Sequence, residues 1–430
     1  MEANQGRKRG QRLDLDGWTD GRYLPGVSSQ ALPRRILLVD ADAFFVAVAR
    51  MVDPDGAGKA PLLIVGGAPG SRGVVCSASY ETRKFGVRSA MPISRALRLC
   101  PEAMCVPVPR GACSRKHHEI RLVLDRFAPT VQAASIDEWY LDLDGTDALY
   151  QGAPLDEIAH RIRDAVHHET GLTVSIGGGS SKLVAKLAVE KAKPKKGANG
   201  VYIVEPGDEL AFMRQHTLAD IPGIGPKTTI RLADRGLRTV DDVLALDDAA
   251  LIRLVGESNA GWLAERVRGI DHADVAEREE ARSISRDETF DVDLNDEALL
   301  EGELTELVAR AGADLRSDGL EARTITVRIR DTDFRTRQAS RTVDEALASE
   351  RALFAIAREL LRKLRRDRHV PARLLGVALS NFTAPPAKQL GLFDAPRAPM
   401  ETPKDRELSR AMDAVRARFG RDAIAAGRKR

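Results

Sequence analysis

Aromatic residues make up only 4% of this 430-residue chain, and there are just four cysteines. Cys76, Cys100, Cys105 and Cys113 form no CxxC pair and have no histidines at matching spacing. That pattern excludes the common structural zinc sites and points to reduced, buried thiols. No apolar run is long enough to span a bilayer, so no membrane partner is expected. Arg7-Lys8-Arg9 has no apolar segment after it, so it does not read as a signal peptide, and a cytoplasmic location is expected. Charge of either sign is not in excess: 66 basic against 63 acidic residues leave a net +3. Global charge therefore does not declare a nucleic-acid binder, and any basic surface must be local. What is present is a 43% hydrophobic fraction, enough for real cores. The length suggests about three domains.

Two stretches carry acids where acids are costly. In Ala134-Ser135-Ile136-Asp137-Glu138-Trp139-Tyr140-Leu141-Asp142, adjacent carboxylates sit between apolar residues in a strand or hairpin. Far upstream, Leu37-Leu38-Val39-Asp40-Ala41-Asp42 is an apolar strand ending in an acid. Unpaired burial of like charges is unfavourable, and a cation removes the problem. Asp40, Asp137 and Glu138 together could hold hard divalent ions through oxygen. Each stretch alone reads equally well as solvated strand-end acids.

The rest of the chain is read in order. Residues 1–33 are polar and unpatterned. A helix follows the first strand, with Asp42 as its cap. Pro61–Gly67 and Gly73–Ser79 read as a hairpin. Tyr80 and Arg83, three apart, share a helical face and, with Lys84 and Arg88, suit a polyphosphate, though taken alone the stretch reads better as a surface helix with scattered basic residues. Helices are expected over Ile93–Leu99, Glu119–Phe127 and Asp156–Glu169. A strand over Leu172–Gly177 is followed by a Gly-rich turn, and then by a helix ending at Pro194 with Lys193 at its terminus. Pro222-Gly223-Ile224-Gly225-Pro226-Lys227 has the helix-hairpin-helix form, in which Gly223 and Gly225 let amides and Lys227 approach a DNA phosphate. A degenerate second copy lies at Leu254–Glu257. Residues 279–285 read as a linker. In Thr324–Arg330, apolar Ile325, Val327 and Ile329 alternate with a face carrying Arg328 and Arg330, and Arg335, Arg337 and Arg341 continue that basic surface. Gln389-Leu390-Gly391-Leu392-Phe393 is an apolar cluster in a Pro/Ala-rich stretch, as in a peptide that docks into a partner's pocket.

Six of these segments occur in the order found in one family. Val39–Phe45, Tyr80–Pro92, Ser135–Glu138, Lys182–Pro194, the Pro-Gly-Ile-Gly hairpin and Gln389–Phe393 together make the chain resemble a Y-family DNA polymerase of the DNA polymerase IV (DinB) branch, over residues 34–394. The resemblance implies an α+β, multidomain right hand. It assigns 34–42 and 110–206 to a palm, 43–109 to small fingers and 207–278 to a helical thumb. The linker 279–285 then leads to a little finger at 286–384, and the tail at 385–430 begins with a sliding-clamp peptide; beyond the resemblance, Arg406–Ala425 reads from its own pattern as a final, partly amphipathic helix. The resemblance also implies two Mg²⁺ ions on Asp40, Asp137, Glu138 and the Ala41 carbonyl, and dNTP contacts from Ser77, Tyr80, Arg83 and Lys193. Phe45 becomes a steric gate against ribose, and Cys76 and Ala90 become small residues beside an open, error-tolerant site. The clamp contacts are Gln389, Leu390, Leu392 and Phe393. The implied function is low-fidelity translesion synthesis by a monomer acting on primer-template DNA.

There are departures. Trp139 stands where the family usually carries a small residue. Lys195-Lys196-Gly197-Ala198 lengthens the turn before Asn199-Gly200. Glu277, Glu279 and Glu280 make the linker acidic where family linkers tend to be basic. Two other readings compete. A non-catalytic accessory relative would have lost the metal acids, and all three are present. A nucleotide cyclase would not need the helix-hairpin-helix or the clamp-like peptide.

Overall fold

The computed structural model describes residues 34–194, 198–277, 281–383, 399–420 and 423–424. The extension 1–33, Lys195–Gly197, Glu279, Glu280 and the peptide Gln389–Phe393 lie outside them. The chain is α+β, with its strands in three separate sheets.

Strand β1 (Ile36–Ala41) is buried along its whole length at the centre of a five-stranded sheet. A continuous apolar run suits a strand covered on both faces. Helix α1 (Phe44–Val52) follows directly. Asp42 does not cap it. Ala43 holds the N-cap position in the left-handed region (φ 45°), and Asp42 instead accepts a hydrogen bond from Ser175 Oγ at 2.7 Å. Next come β2 (Leu63–Gly66), β3 (Val75–Ala78), α2 (Tyr80–Arg83), α3 (Ile93–Leu99) and β4 (Met104–Val106). They form a small three-stranded sheet whose core includes Ile64, Val75, Val87 and Ile93. The thiols are free, but not all are buried: Cys100 and Cys113 are, while Cys76 is exposed.

Helix α4 (Arg110–Leu124) begins well before the Glu119 read from the sequence. Its basic first half shows little apolar periodicity, and there only Cys113 is buried. Strands β5 (Thr130–Ala133) and β6 (Glu138–Asp142) make a hairpin, followed by α5 (Leu155–Thr170), β7 (Val174–Gly179), α6 (Lys182–Ala192) and β8 (Val201–Ile203). The large sheet runs β5-β6-β1-β7-β8. Leu37, Val39, Trp139 and Leu141 pack with α4 and α5 on one face; Ile36 and Leu38 pack with Ala185 and Val189 of α6 on the other. The strand runs two residues past the expected end: Gly178 and Gly179, read as a turn, belong to β7 with Gly177. A Cβ on Gly177 would lie 2.1 Å from the Val189 backbone nitrogen, so glycine is what lets α6 seat this closely on the sheet.

A helical region follows: α7 (Glu209–Met213), a 3₁₀ turn at Leu218–Asp220, α8 (Pro226–Ala233), α9 (Val240–Leu244), α10 (Asp248–Val255) and α11 (Glu257–Arg266). The last region contains β9 (Ser283–Leu294), α12 (Glu297–Ser317), β10 (Glu321–Asp331), β11 (Thr336–Leu347), α13 (Glu350–Asp367) and β12 (Ala372–Thr383). Its antiparallel sheet runs β11-β10-β12-β9, with α12 and α13 on one face over Ile325, Val327 and Ile329. Strand β9 starts inside the stretch read as a linker: Ser283–Ser285 pair with Ala378–Ser380, and Ile284 is buried. Helix α14 (Pro403–Phe419) folds back onto α13. Among the described residues no helix is long and apolar enough to cross a membrane.

Candidate active site

Strand pairing brings the two acidic stretches together. Asp40 on β1 is the cross-strand partner of Glu138 on β6 and of Ser175 on β7, so these side chains share the face covered by α6. Asp137 sits one residue earlier, in the β5–β6 turn. Its carbonyl accepts the Ala41 N–H at 2.9 Å, and its carboxylate accepts from Ser135 Oγ at 2.5 Å. All three acids and the Ala41 backbone therefore lie at one end of the sheet.

Helix α6 supplies cations to this end. Lys186 is ion-paired with Glu138. Lys193 bridges Asp40 at 3.0 Å and Glu190 at 2.6 Å. Sequence reasoning missed Lys186. The available signal was its spacing: it precedes Lys193 by two helical turns, hence on the same face. Among the described residues no trio of acids is gathered at ligand spacing, because the lysines occupy two of the carboxylates. The donor chemistry nonetheless fits a hard divalent cation, with carboxylate oxygens from Asp40, Asp137 and Glu138 beside the Ala41 carbonyl.

Burial pushes the Asp40 carboxyl up to about 7 against the pull of Lys193, and the neighbouring Glu138 raises it further. Burial alone would lower the Lys193 ammonium; the Asp40 and Glu190 carboxylates more than offset that and hold it above its ordinary value. The folded pKa of Asp40 exceeds its unfolded one, so the native state binds the extra proton. Its contribution to stability therefore falls as pH rises from its ordinary value of 3.8 to about 7. Asp40→Asn removes that penalty while Glu190 still pairs Lys193. In thermal melts without divalent ions, the variant should match wild type near pH 4 and melt higher at pH 8. An equal melting temperature at both pH values would show that the buried charge carries no cost.

The residues expected to face a nucleotide lie on the elements that follow β1. Tyr80 and Arg83 lie on the single turn α2, with the Arg83 guanidinium 4.9 Å from the Tyr80 ring centroid. Burial, with Asp42 nearby, pushes the Tyr80 hydroxyl up to about 12; Asp40 and Lys193 also act on it, which places it within electrostatic reach of the acids. Ser77 is buried on β3. Phe45, in the first turn of α1, packs edge-on against Phe44 at 5.7 Å. Cys76 and Ala90 are adjacent and exposed, and Ser89 Oγ donates to the Cys76 carbonyl at 3.1 Å.

Trp139 points away from the acids. It is fully buried on the α4 face of β6 and stacks on His117 at 5.1 Å. Its indole N–H meets no acceptor among the described residues, an arrangement that costs about 1–3 kcal/mol.

Comparison with known proteins gives the family. The impB/mucB/samB family model matches residues 39–190, its C-terminal domain 281–392, and a SAM-like helix-hairpin-helix tandem 216–268. The DNA polymerase IV of Dehalococcoides mccartyi (strain CBDB1) is 35% identical over 395 residues, 92% of this chain and 97% of the relative. That of Methanoculleus marisnigri is 38% identical over 350 residues, 81% and 94% of the two chains. The chain belongs to the Y-family DNA polymerases, in the DNA polymerase IV (DinB) branch. A chimaera of the Y-family polymerases Dbh and Dpo4 matches with TM-score 0.72 at 27% identity, covering 81% of this chain and 98% of that one. An insertion ternary complex of Dbh matches with TM-score 0.56 at 26% identity, with the same coverage. The fold is thus the palm, fingers, helical thumb and little finger of a Y-family polymerase.

Two further surfaces of this polymerase are candidates for DNA. In the thumb, Gly223 (φ 97°) packs against Trp262, and Gly225 is the N-cap of α8. A Cβ on Gly225 would meet nothing within 4 Å, so the fold itself does not require glycine there and the approach to the helix start stays open. Lys227 lies in the first turn of that helix, and Gly256 (φ 86°) repeats the arrangement between α10 and α11. In the little finger, the sheet face opposite α12 and α13 carries Arg328 and Arg330 amid hydroxyls. Thr324 pairs with Thr342 at 2.9 Å and Thr326 with Ser340 at 2.8 Å. Arg337 does not belong to this face. Its register partner is Ile329, so it points under the helices, where it binds buried Asp331 at 2.9 Å. Arg341 likewise reaches Glu359 of α13 at 2.6 Å. The alternation that places Arg328 and Arg330 outward on β10 places odd-numbered residues of β11 inward.

Proposed function

We propose that this polymerase performs low-fidelity translesion synthesis, adding dNTPs to a primer 3′-hydroxyl at the end of the palm sheet where Asp40, Asp137 and Glu138 meet. The observation that carries the reading is the β1–β6 pairing, which sets Asp40 beside Glu138 with Lys193 and Lys186 ion-paired to them. Two Mg²⁺ ions held by the acids would acidify the primer hydroxyl and neutralise charge on the triphosphate and departing pyrophosphate. Lys193 and Lys186 hold the acids until then. Once Asp40 is otherwise neutralised, Lys193 is free to meet triphosphate oxygens together with Arg83, Ser77 and the Tyr80 hydroxyl. The palm is taken as 34–42 and 110–206, the fingers as 43–109 and the thumb as 207–278. The linker is shortened to 279–282, the little finger extends from 283 to 384, and the tail covers 385–430.

The thumb glycines with Lys227, and Arg328 and Arg330 of the little finger, grip primer-template phosphates without reading sequence. Gln389, Leu390, Leu392 and Phe393 tether a monomer to the replicative sliding clamp in the cytoplasm, which raises the local concentration of an otherwise distributive enzyme. Phe45 lies under the sugar of the incoming nucleotide and excludes a 2′-hydroxyl. Phe45→Ala should raise ribonucleotide incorporation relative to dNTP by roughly 10²-fold, the size of a lost shape discrimination. Competition assays with matched rNTP and dNTP measure it, and unchanged selectivity would place the gate elsewhere.

The test of the functional reading is extension past a damaged template base, with the undamaged template as control. Bypass with frequent misinsertion supports it; accurate synthesis that halts at every lesion contradicts it. The accessory-protein reading is disfavoured by the retained acids, and the cyclase reading by the tandem helix-hairpin-helix.

A further inference from the structure

Besides the bonds of Ser135 to Asp137 and Glu138 within it, the acidic turn between β5 and β6 is held at three points. The Ala41 N–H binds the Asp137 carbonyl at 2.9 Å, and the Ala134 N–H binds the Glu138 carbonyl at 2.9 Å across the mouth of the hairpin. The third point comes from outside the sheet: His117 Nδ1 of α4 lies 2.9 Å from the carbonyl oxygen of Ile136, the residue before Asp137. A carbonyl can only accept, so Nδ1 carries the hydrogen and donates it. The His117 ring is itself set by stacking on Trp139, at 5.1 Å and 26° between planes. Trp139 is buried at 0% exposure with its own N–H unpaired, so what it contributes locally is a rigid apolar surface, and one edge of that surface is His117.

We propose that His117 and Trp139 form a positioning pair for the metal acids: Trp139 fixes the His117 ring, and His117 fixes the carbonyl of Ile136, and with it the direction of Asp137. A carboxylate in a turn has more backbone freedom than one in a strand. Asp137 is outside β6, whereas Glu138 is within it. An external anchor therefore matters most for Asp137. Neither His117 nor Trp139 touches substrate, and both act through the turn. This explains why an indole can follow the acidic pair in this chain: its bulk is directed to α4, where it meets a histidine. The proposal rests on the metal-centre reading above and deepens it.

The test uses the full chain bound to a primer-template with a dideoxy-terminated primer and dNTP. Mn²⁺ is the probe, followed by electron paramagnetic resonance of the free ion. His117→Phe keeps a ring against Trp139 and removes the donor. His117→Asn keeps a donor near the Nδ1 position and removes the ring. Groups that orient ligands in this indirect way are worth roughly 10–100-fold in metal affinity. His117→Phe should weaken Mn²⁺ uptake about tenfold. His117→Asn, which keeps a donor but loses the stack on Trp139, should fall between wild type and His117→Phe, with both variants melting alike. Unchanged Mn²⁺ affinity in His117→Phe, or equal loss in both variants, overturns the proposal and leaves the metal centre standing. A wild type that takes up no more Mn²⁺ than Asp137→Ala overturns the metal-centre reading, and this proposal with it.

Discussion

Asp137→Ala should abolish primer extension and leave the fold intact. The expected loss in single-nucleotide insertion is about 10³-fold or more, equivalent to roughly 4 kcal/mol of transition-state stabilisation. The size follows from the proposed role: as a metal ligand its carboxylate would act on charge that develops as the α-phosphate is attacked, so losing it should cost turnover as well as metal uptake. The selectivity of the effect follows from position. Asp137 lies in the β5–β6 turn, outside the buried clusters, and its anchors to Ala41 and His117 use backbone carbonyls that alanine retains. Its stability cost should stay within about 0.5 kcal/mol, as for substitutions away from the core. Thermal melts and single-turnover insertion on the same preparation separate the two. Insertion within tenfold of wild type would remove Asp137 from the active site.

Arg406→Ala gives the largest expected loss of stability from a single surface-helix residue. Arg406 of α14 donates to both Glu401 and Glu321, whose side chains are 1% and 7% exposed. The Glu401 carboxylate in turn accepts the N–H of Ser349 at 2.7 Å and of Ala348 at 3.2 Å, where the chain enters α13. Removing the guanidinium leaves two buried carboxylates without their cation, a change that typically costs about 3–5 kcal/mol. Arg410→Ala, an exposed position on the same helix, is the control and should cost under about 0.5 kcal/mol. Differential scanning calorimetry of the full chain should show the transition of the little finger shifted downward by Arg406→Ala alone. An Arg406→Ala transition no lower than that of Arg410→Ala would mean that the Arg406 pairs do not fasten α14 to that domain. Bidentate pairs between Arg316 and Asp413 and between Arg351 and Asp405 fasten the same helix.

This C-terminal strap was illegible in the sequence for a physical reason: its partners are separated by dozens of residues, and ion pairing leaves no periodic mark. The terminal helix itself was legible. So were α1, α3 and α5, whose apolar spacing follows the helical period, and the inward Ile325, Val327 and Ile329. The meeting of Asp40 with Asp137 and Glu138 was legible because burying carboxylates is costly enough to stand out. Lys186 and His117 were not, since each is one basic residue among many on a helix until the partner strand is placed. Arg337 was misassigned because the face of a residue on β11 depends on its register with β10, which a hairpin of unknown turn length does not disclose. Gly178 and Gly179 read as a turn from sequence because glycine signals both loose backbone and close packing. Only the approach of α6 decides between them.

The most direct measurement is single-nucleotide insertion by the full chain on an undamaged primed template, with dNTPs and Mg²⁺, run beside Glu138→Ala. The account predicts templated addition by the wild type that vanishes on chelation and in the variant. Failure of the wild type to add even one nucleotide, or undiminished addition by Glu138→Ala, would contradict it.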